Sequence, residues 1–238
     1  STLAAVLDLI RVVTRDVPGE HPVVGLGIAV PGMIELGSGL VRLAPNLGWR
    51  DVPFATLLAD RLGGGFHPVI ANDADHGVKA EHLRGVGVGV SDLVYLSGEV
   101  GVGAGIITGG APATGATGLA GEIGHLPFGD GDRECHCGSR GCWETEIGAQ
   151  AIGAAVGCPP ERLATLGAFL DALDHDTPGL DRVGEQLGRG IAGIVNLFNP
   201  RLIVLGGYLN ALYRFVDERV ERELQHRALA APRAEVRI

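Results

Sequence analysis

The run from Gly121 to Glu144 constrains this chain more than any other part of it, because His125, Cys135, Cys137 and Cys142 fall inside it. Three thiolates and one imidazole are the donor set of a tetrahedral Zn²⁺ site, and four protein donors leave no position for a catalytic water. The metal is therefore expected to be structural. Gly138 and Gly141 let the backbone wrap tightly around it. His136 is the rival nitrogen donor, but it lies between two ligating cysteines and would strain a four-ligand wrap. A disulfide with one thiol left over is the other reading. No signal peptide or apolar export segment is visible to support it, and the expected location is the cytoplasm. Cys158, before Pro159-Pro160, reads as a small apolar residue. Two carboxylates, Glu122 and Glu144, bracket the cluster.

The remainder reads as an α/β protein. Leu3, Val6, Leu7, Ile10 and Val13 recur at helical spacing, so the chain opens in an amphipathic helix. Val23–Val30 is a buried-strand run closed by Pro31-Gly32, and Val41–Trp49 reads as a loop. A helix over Phe54–Leu62 precedes a short strand, Pro68–Ala71, which ends at Asn72-Asp73 before a helix to Arg84. Asp92–Leu96 and Ala104–Thr108 read as a strand pair around a glycine turn. Helices are expected over Glu144–Val156, Glu161–Leu173 and Leu180–Phe198. A strand over Arg201–Leu205, a Gly206-Gly207 turn and a long helix from Leu209 to about Leu229 follow, and Ala234–Ile238 resembles the start of another strand. Alternating strands and helices indicate α/β architecture. No apolar run is long enough to span a membrane. A net charge of −9 with no basic patch argues against this chain alone gripping a phosphate backbone.

The motif Glu122-x-Gly124-His125, followed by Cys135-x-Cys137-Gly138-x-x-Gly141-Cys142-x-Glu144, resembles the signature of the ROK family of bacterial repressors and sugar kinases. The resemblance runs from about Val23 to Leu209. It implies a two-lobed actin-like ATPase (ribonuclease-H-like) fold, with an N-terminal lobe over residues 1–111 and a C-terminal lobe over 112–238. The low-complexity stretch Gly109–Gly118 is the expected crossing between lobes. It also implies a sugar site in the interlobe cleft, with Asn72, Asp73, Glu122, His125 and Glu144 meeting sugar hydroxyls. Carboxylates accept from adjacent hydroxyls, an amide both donates and accepts, and His125 would bind zinc through one ring nitrogen and donate through the other. In the family's kinases the residue matching Asp73 is the general base. Asp73 read alone could instead cap the following helix. Asn46 is either a further sugar contact or a turn former.

The same resemblance places a nucleotide phosphate loop at Glu99, Val100, Gly101, Gly103 and Gly105, with Gly206 and Gly207 nearby. Here Val100 stands where the kinases carry a threonine hydroxyl, and Glu99 adds negative charge where phosphates would sit. A tight hairpin turn explains those glycines without a nucleotide. The resemblance further implies a first phosphate loop and a winged helix-turn-helix head before Ser1, and a strand and helix beyond Ile238, so the chain reads as a piece of a longer regulator. The leading expectation is a sugar-sensing domain whose operator contact lies outside this chain, working as a homodimer or higher homo-oligomer. The alternative is a hexose or amino-sugar kinase using Mg²⁺ and ATP. A zinc-stabilised interaction scaffold is a third.

Overall fold

A computed structural model describes residues 2–15, 23–63, 67–129, 131, 133–174, 177 and 179–238. Its contacts divide the chain into two compact units, Ser1–Asp73 with Gly115–Ala120, and Ala74–Thr114 with Gly121–Ile238. The division between the units thus falls after Asp73 and around residues 115–120, the latter within and just past the Gly109–Gly118 stretch.

In the first unit α1 (Thr2–Arg15) turns Leu7 inward, and Leu3 and Val6 pack on a small apolar cluster. β1 (Gly27–Val30), β2 (Met33–Glu35), β3 (Leu40–Ala44), β4 (Trp49–Val52), α2 (Phe54–Arg61) and β5 (Val69–Asn72) follow. β1 pairs in parallel with β5, bringing Val30 opposite Asn72. β2, β3 and β4 form an antiparallel sheet. The segment expected as a loop over Val41–Trp49 is therefore most of a hairpin, joined by a 3-10 turn at Pro45–Leu47. Val41 and Ala44 are fully buried, while Pro45, Asn46 and Gly48 supply the turn chemistry that hides this short strand from a pattern search.

The second unit contains α3 (Asp73–Arg84, beyond its first residue), β6 (Leu93–Gly98), β7 (Val102–Thr108), β8 (Ala111–Pro112), α4 (Glu144–Ile147) and α5 (Ala149–Val156). It continues with α6 (Leu166–Asp171), α7 (Asp181–Phe198), β9 (Leu202–Gly207), α8 (Tyr208–Arg227) and α9 (Ala230–Glu235). The sheet order is β8-β7-β6-β9, with β6 antiparallel to β7 and parallel to β9. Val94, Leu96, Val102, Ala104 and Ile106 face α7 and α8 across the main core, whereas Leu93, Ile107 and Leu202 form a second cluster with Val78 of α3. Both faces are covered, which is why β6 reads as a continuous apolar run. α7 and α8 approach closely through Gly184 and Gly188, where a Cβ would lie 2.9 Å from Val216 Cβ and from Val220 Cα respectively.

Several elements depart from the periodicity, beginning with the run read as a buried strand over Val23–Val30, which is strand only from Gly27 and leaves Val24 exposed. The helix expected over 144–156 breaks at Gly148, whose extended backbone fits beneath the Glu144 carbonyl, 2.6 Å from where a Cβ would stand. The 161–173 helix starts as a 3-10 segment, Pro160–Thr165. Ala230–Glu235 is helical where a strand start was expected to follow, and only Arg237 joins β9, through Ile203 N to Arg237 O at 2.8 Å and Arg237 N to Arg201 O at 3.1 Å. Gly206 and Gly207 are not a separate turn but the last paired residues of β9, opposite Ser97 and Gly98. Among the described residues no helix is long and apolar enough to cross a membrane.

Asp92 fastens the end of this sheet. Its Oδ2 accepts from Ser91 Oγ at 2.6 Å, and its Oδ1 from Gly109 N at 2.9 Å and Thr108 Oγ1 at 3.2 Å. The Ser91 hydroxyl, then the Gly109 amide, hold this carboxyl below its ordinary range. A depressed folded-state pKa contributes stability above the unfolded value that is lost as pH falls through the folded one. Asp92→Asn is therefore expected to melt lower than the parent at about pH 7, with the gap closing below about pH 4. Thermal melts across that range check it, and a constant gap would contradict the assignment.

Candidate metal centre and its carboxylates

His125 lies on a 3-10 turn, Ile123–His125, laid flat along β7. A Cβ on Gly124 would meet Val102 O at 2.1 Å, and one on Gly121 (φ +100°) would meet Ala104 O at 2.7 Å, so only glycine permits this approach. The cysteines occupy a knuckle closed by Cys135 N to Ser139 O at 2.8 Å, Gly138 N to Cys135 O at 2.9 Å and Gly141 N to Arg133 O at 3.0 Å. Gly138 and Gly141 turn it with positive φ. Trp143 then fixes the knuckle to α7. Its indole is fully buried, donates from Nε1 to Gln186 O at 2.7 Å, and sits where a Cβ on Gly190 would be 2.1 Å away. The buried Glu146 carboxylate adds ion pairs to Arg182 of α7 at 3.3 Å and to Arg133 of the knuckle at 3.6 Å.

This scaffold brings His125, Cys135, Cys137 and Cys142 together, with all ligand atoms within 4.8 Å of one another. His125 Nδ1 is 3.6 Å from Cys135 Sγ, and the Cys137 and Cys142 sulfurs are 3.7 Å apart. Bonds of about 2.3 Å to sulfur and about 2.0 Å to nitrogen give tetrahedral edges of about 3.8 Å and about 3.6 Å. Those two contacts fit, and the widest separation needs a contraction of about 1 Å to reach the same edges. Burial, then the neighbouring thiols Cys137 and Cys135, push the Cys142 thiol up to about 12, and burial raises Cys135 as well. Burial opposes ionisation of Cys137 too, but hydrogen bonds from the Ser139 backbone and side chain bring it down. A cation among these sulfurs would favour the thiolates. The cluster can hold a metal ion, and the residues are compatible with zinc. His136 is exposed and outside the group. Asp130 and Asp132, in the same run, lie outside the described residues.

The carboxylates follow from this geometry. Glu144 Oε2 accepts from Val102 N at 2.9 Å, and its Oε1 lies 3.7 Å from Cys135 Sγ. Gly101 makes room for it, since a Cβ there would fall 2.0 Å from Oε2. Glu122 Oε2 stands 4.0 Å from His125 Nε2, both side chains about one-third exposed at 37% and 33%. His125 therefore turns Nδ1 to the cysteines and Nε2 toward Glu122. Glu99, Val100 and Gly101 form the β6–β7 turn, with the Val100 side chain exposed. Gly105 belongs to β7, where a Cβ would strike Ala74 O at 2.3 Å, and Gly103 faces the same helix. A Cβ on Gly207 (φ +60°) would fall 1.9 Å from Gly98 O and 2.9 Å from Glu99 Oε1.

In the first unit, Asn72 ends β5 and donates from Nδ2 to Gly32 O at 2.8 Å, and Asp73 is the first residue of α3. Asn46 is exposed in the 3-10 turn. Two residues of this neighbourhood escaped the sequence reading: Glu146 and Tyr208, whose hydroxyl donates to Gly101 O at 2.9 Å. A carboxylate two residues past Glu144 and an aromatic after Gly206-Gly207 carry no motif, and their partners are distant in sequence.

Comparison with known proteins sets these features in context. The sequence model of the ROK family matches residues 2–238. A xylose repressor of Caldicellulosiruptor bescii is 32% identical over 96% of this chain, which spans 61% of that protein's length. A ROK family transcriptional regulator, homologous to the E. coli MLC protein, superposes with a TM-score of 0.81 at 27% identity, covering 99% of this chain and 63% of that one. A ROK family glucokinase from Streptomyces griseus, in complex with glucose and AMPPNP, superposes at 0.72 with 26% identity, over 93% of this chain and 78% of that one. The α/β fold is that of the actin-like ATPases in this family.

Cys137→Ser is expected to remove the bound metal and to lower the melting temperature by about 6–12 °C, from a loss of about 3 kcal/mol. Chelation of the parent protein should give the same shift. Elemental analysis with paired melts checks both, and a metal-free parent melting like the variant would overturn the site.

Proposed function

The chain belongs to the ROK family, and on that footing we propose that it is the sugar-sensing domain of a transcriptional regulator, with Zn²⁺ held by His125, Cys135, Cys137 and Cys142. The observation that carries this reading is the β6–β7 turn. Its Val102 amide, a donor of the kind that cradles a phosphate, is occupied by the protein's own Glu144 carboxylate, and the turn carries Glu99 and Val100 in place of a hydroxyl. Glu122, the Nε2 edge of His125 and Glu144 then remain as groups suited to a monosaccharide's hydroxyls, the carboxylates accepting and the imidazole donating. Zinc, when bound at Nδ1, supplies a fixed tautomer with the proton on Nε2. Asn72 and Asp73 are proposed as further hydroxyl contacts, as is Asn46. Operator DNA would be met by a winged helix-turn-helix outside this chain, in a homodimer whose DNA-binding spacing responds to the sugar.

A second reading, an ATP-dependent sugar kinase, is favoured by one observation: Asp73 stands at a strand-to-helix junction, where open α/β sheets place ligand groups. It would take the proton from the attacking sugar hydroxyl, with Mg²⁺ and ATP as cofactors. The test uses the full-length protein with Mg-ATP and a panel of hexoses, pentoses and amino sugars. The sensor reading predicts no ADP release, together with sugar-induced thermal stabilisation of about 2.7 kcal/mol at a hundredfold excess over Kd. Turnover that Asp73→Ala abolishes would make the protein a kinase.

A further inference from the structure

Tyr208 is a polar residue in an apolar place. It opens α8, is 3% exposed, and lays its ring over Gly98, where a Cβ would come within 2.8 Å of Cε2. Burial first, then the charges of Glu144 and Glu99, hold its ionisation far above the ordinary phenol range, so the hydroxyl is a permanent neutral donor. That donor meets Gly101 O at 2.9 Å. The carbonyl of Gly101 and the amide of Val102 are the two ends of one peptide group, and the amide end donates to Glu144 Oε2 at 2.9 Å. Tyr208 and Glu144 therefore grip the same peptide from opposite sides. A donor on the carbonyl polarises the peptide and strengthens its N–H as a donor. Neither glycine beside this contact tolerates a side chain: a Cβ on Gly101 would strike Glu144, and one on Gly98 would strike Tyr208.

We propose that Tyr208 is a positioning residue for the ligand site: through the single Gly101–Val102 peptide it fixes the carboxylate of Glu144, and with it the strength of sugar binding. This rests on the sugar-contacting role proposed for Glu144. Oε1 of Glu144 is meanwhile 3.7 Å from Cys135 Sγ, so a chain of polar contacts runs from the cysteine knuckle through Glu144 and the β6–β7 turn to the start of the long helix α8.

The experiment is a double-mutant cycle in the full-length protein, with Tyr208→Phe, Glu144→Gln and the pair, titrated calorimetrically with D-xylose and D-glucose. Tyr208→Phe keeps the ring and removes only the hydroxyl. It is expected to weaken binding by roughly 5–30-fold in the parent and by less than about twofold in the Glu144→Gln background. An equal loss in both backgrounds, or no loss in the parent, overturns the proposal. Hydrogen exchange at the Val102 amide supplies a readout that needs no sugar. Faster exchange in Tyr208→Phe, with bound metal unchanged, supports the peptide link, and unchanged exchange overturns it. A parent protein that binds neither sugar, with the faster exchange still seen in Tyr208→Phe, would count against the sensing role and leave the positioning role standing.

Discussion

The convergence of His125 with Cys135, Cys137 and Cys142 is the interaction on which the rest of this site depends. Between His125 and Cys135 the chain forms no helix or long strand among the described residues, so local backbone structure alone does little to hold it. What fixes it is α7 on one side, and a metal bound by the four clustered residues would fix the other. The α7 attachment is made by a fully buried indole and a buried carboxylate with two arginines. A metal at the cluster would close the loop covalently in effect, since ordering this many residues without secondary structure costs conformational entropy on the order of 1 kcal/mol or more for each. Both carboxylates of interest leave this loop at its two ends, Glu122 before His125 and Glu144 after Cys142, so whatever orders the knuckle also aims them.

The second constraint is backbone proximity at the end of the sheet. β6 and β9 finish side by side, the β6–β7 turn folds back over them, and α8 begins immediately. Glycine at 98, 101, 105 and 207 is demanded by what lies against each position: Tyr208, Glu144, the Ala74 carbonyl and the Gly98 carbonyl. A glycine-rich turn of this kind needs no nucleotide to account for it. The physical economy is that one short turn serves strand pairing, helix packing and the orientation of a carboxylate at once.

Much of this was legible in the residues. The candidate metal-binding residues announce themselves by type and spacing, and the helices α1, α2, α3 and α7 by apolar periodicity or strand-to-helix punctuation. The actin-like architecture was not legible from periodicity, which gives only α/β alternation. It came from the resemblance of the 121–144 motif to a family. The β3–β4 hairpin stayed hidden because a Pro-Asn-Leu-Gly turn interrupts strands only four or five residues long. The break at Gly148 was hidden because it answers to a carbonyl one turn away rather than to composition. Tyr208 and Glu146 were invisible for a common reason: each has a key partner more than thirty residues away, Gly101 for the first and Arg182 for the second. Long-range polar contacts leave no local pattern.

The central claim is that one ion, bound by three sulfurs and one nitrogen, organises the ligand site. X-ray absorption at the zinc edge of the purified full-length protein tests it most directly. The account predicts three sulfur neighbours at about 2.3 Å and one nitrogen at about 2.0 Å, with no bound water. A shell of two or fewer sulfurs, an additional oxygen neighbour, or protein without stoichiometric zinc would contradict it.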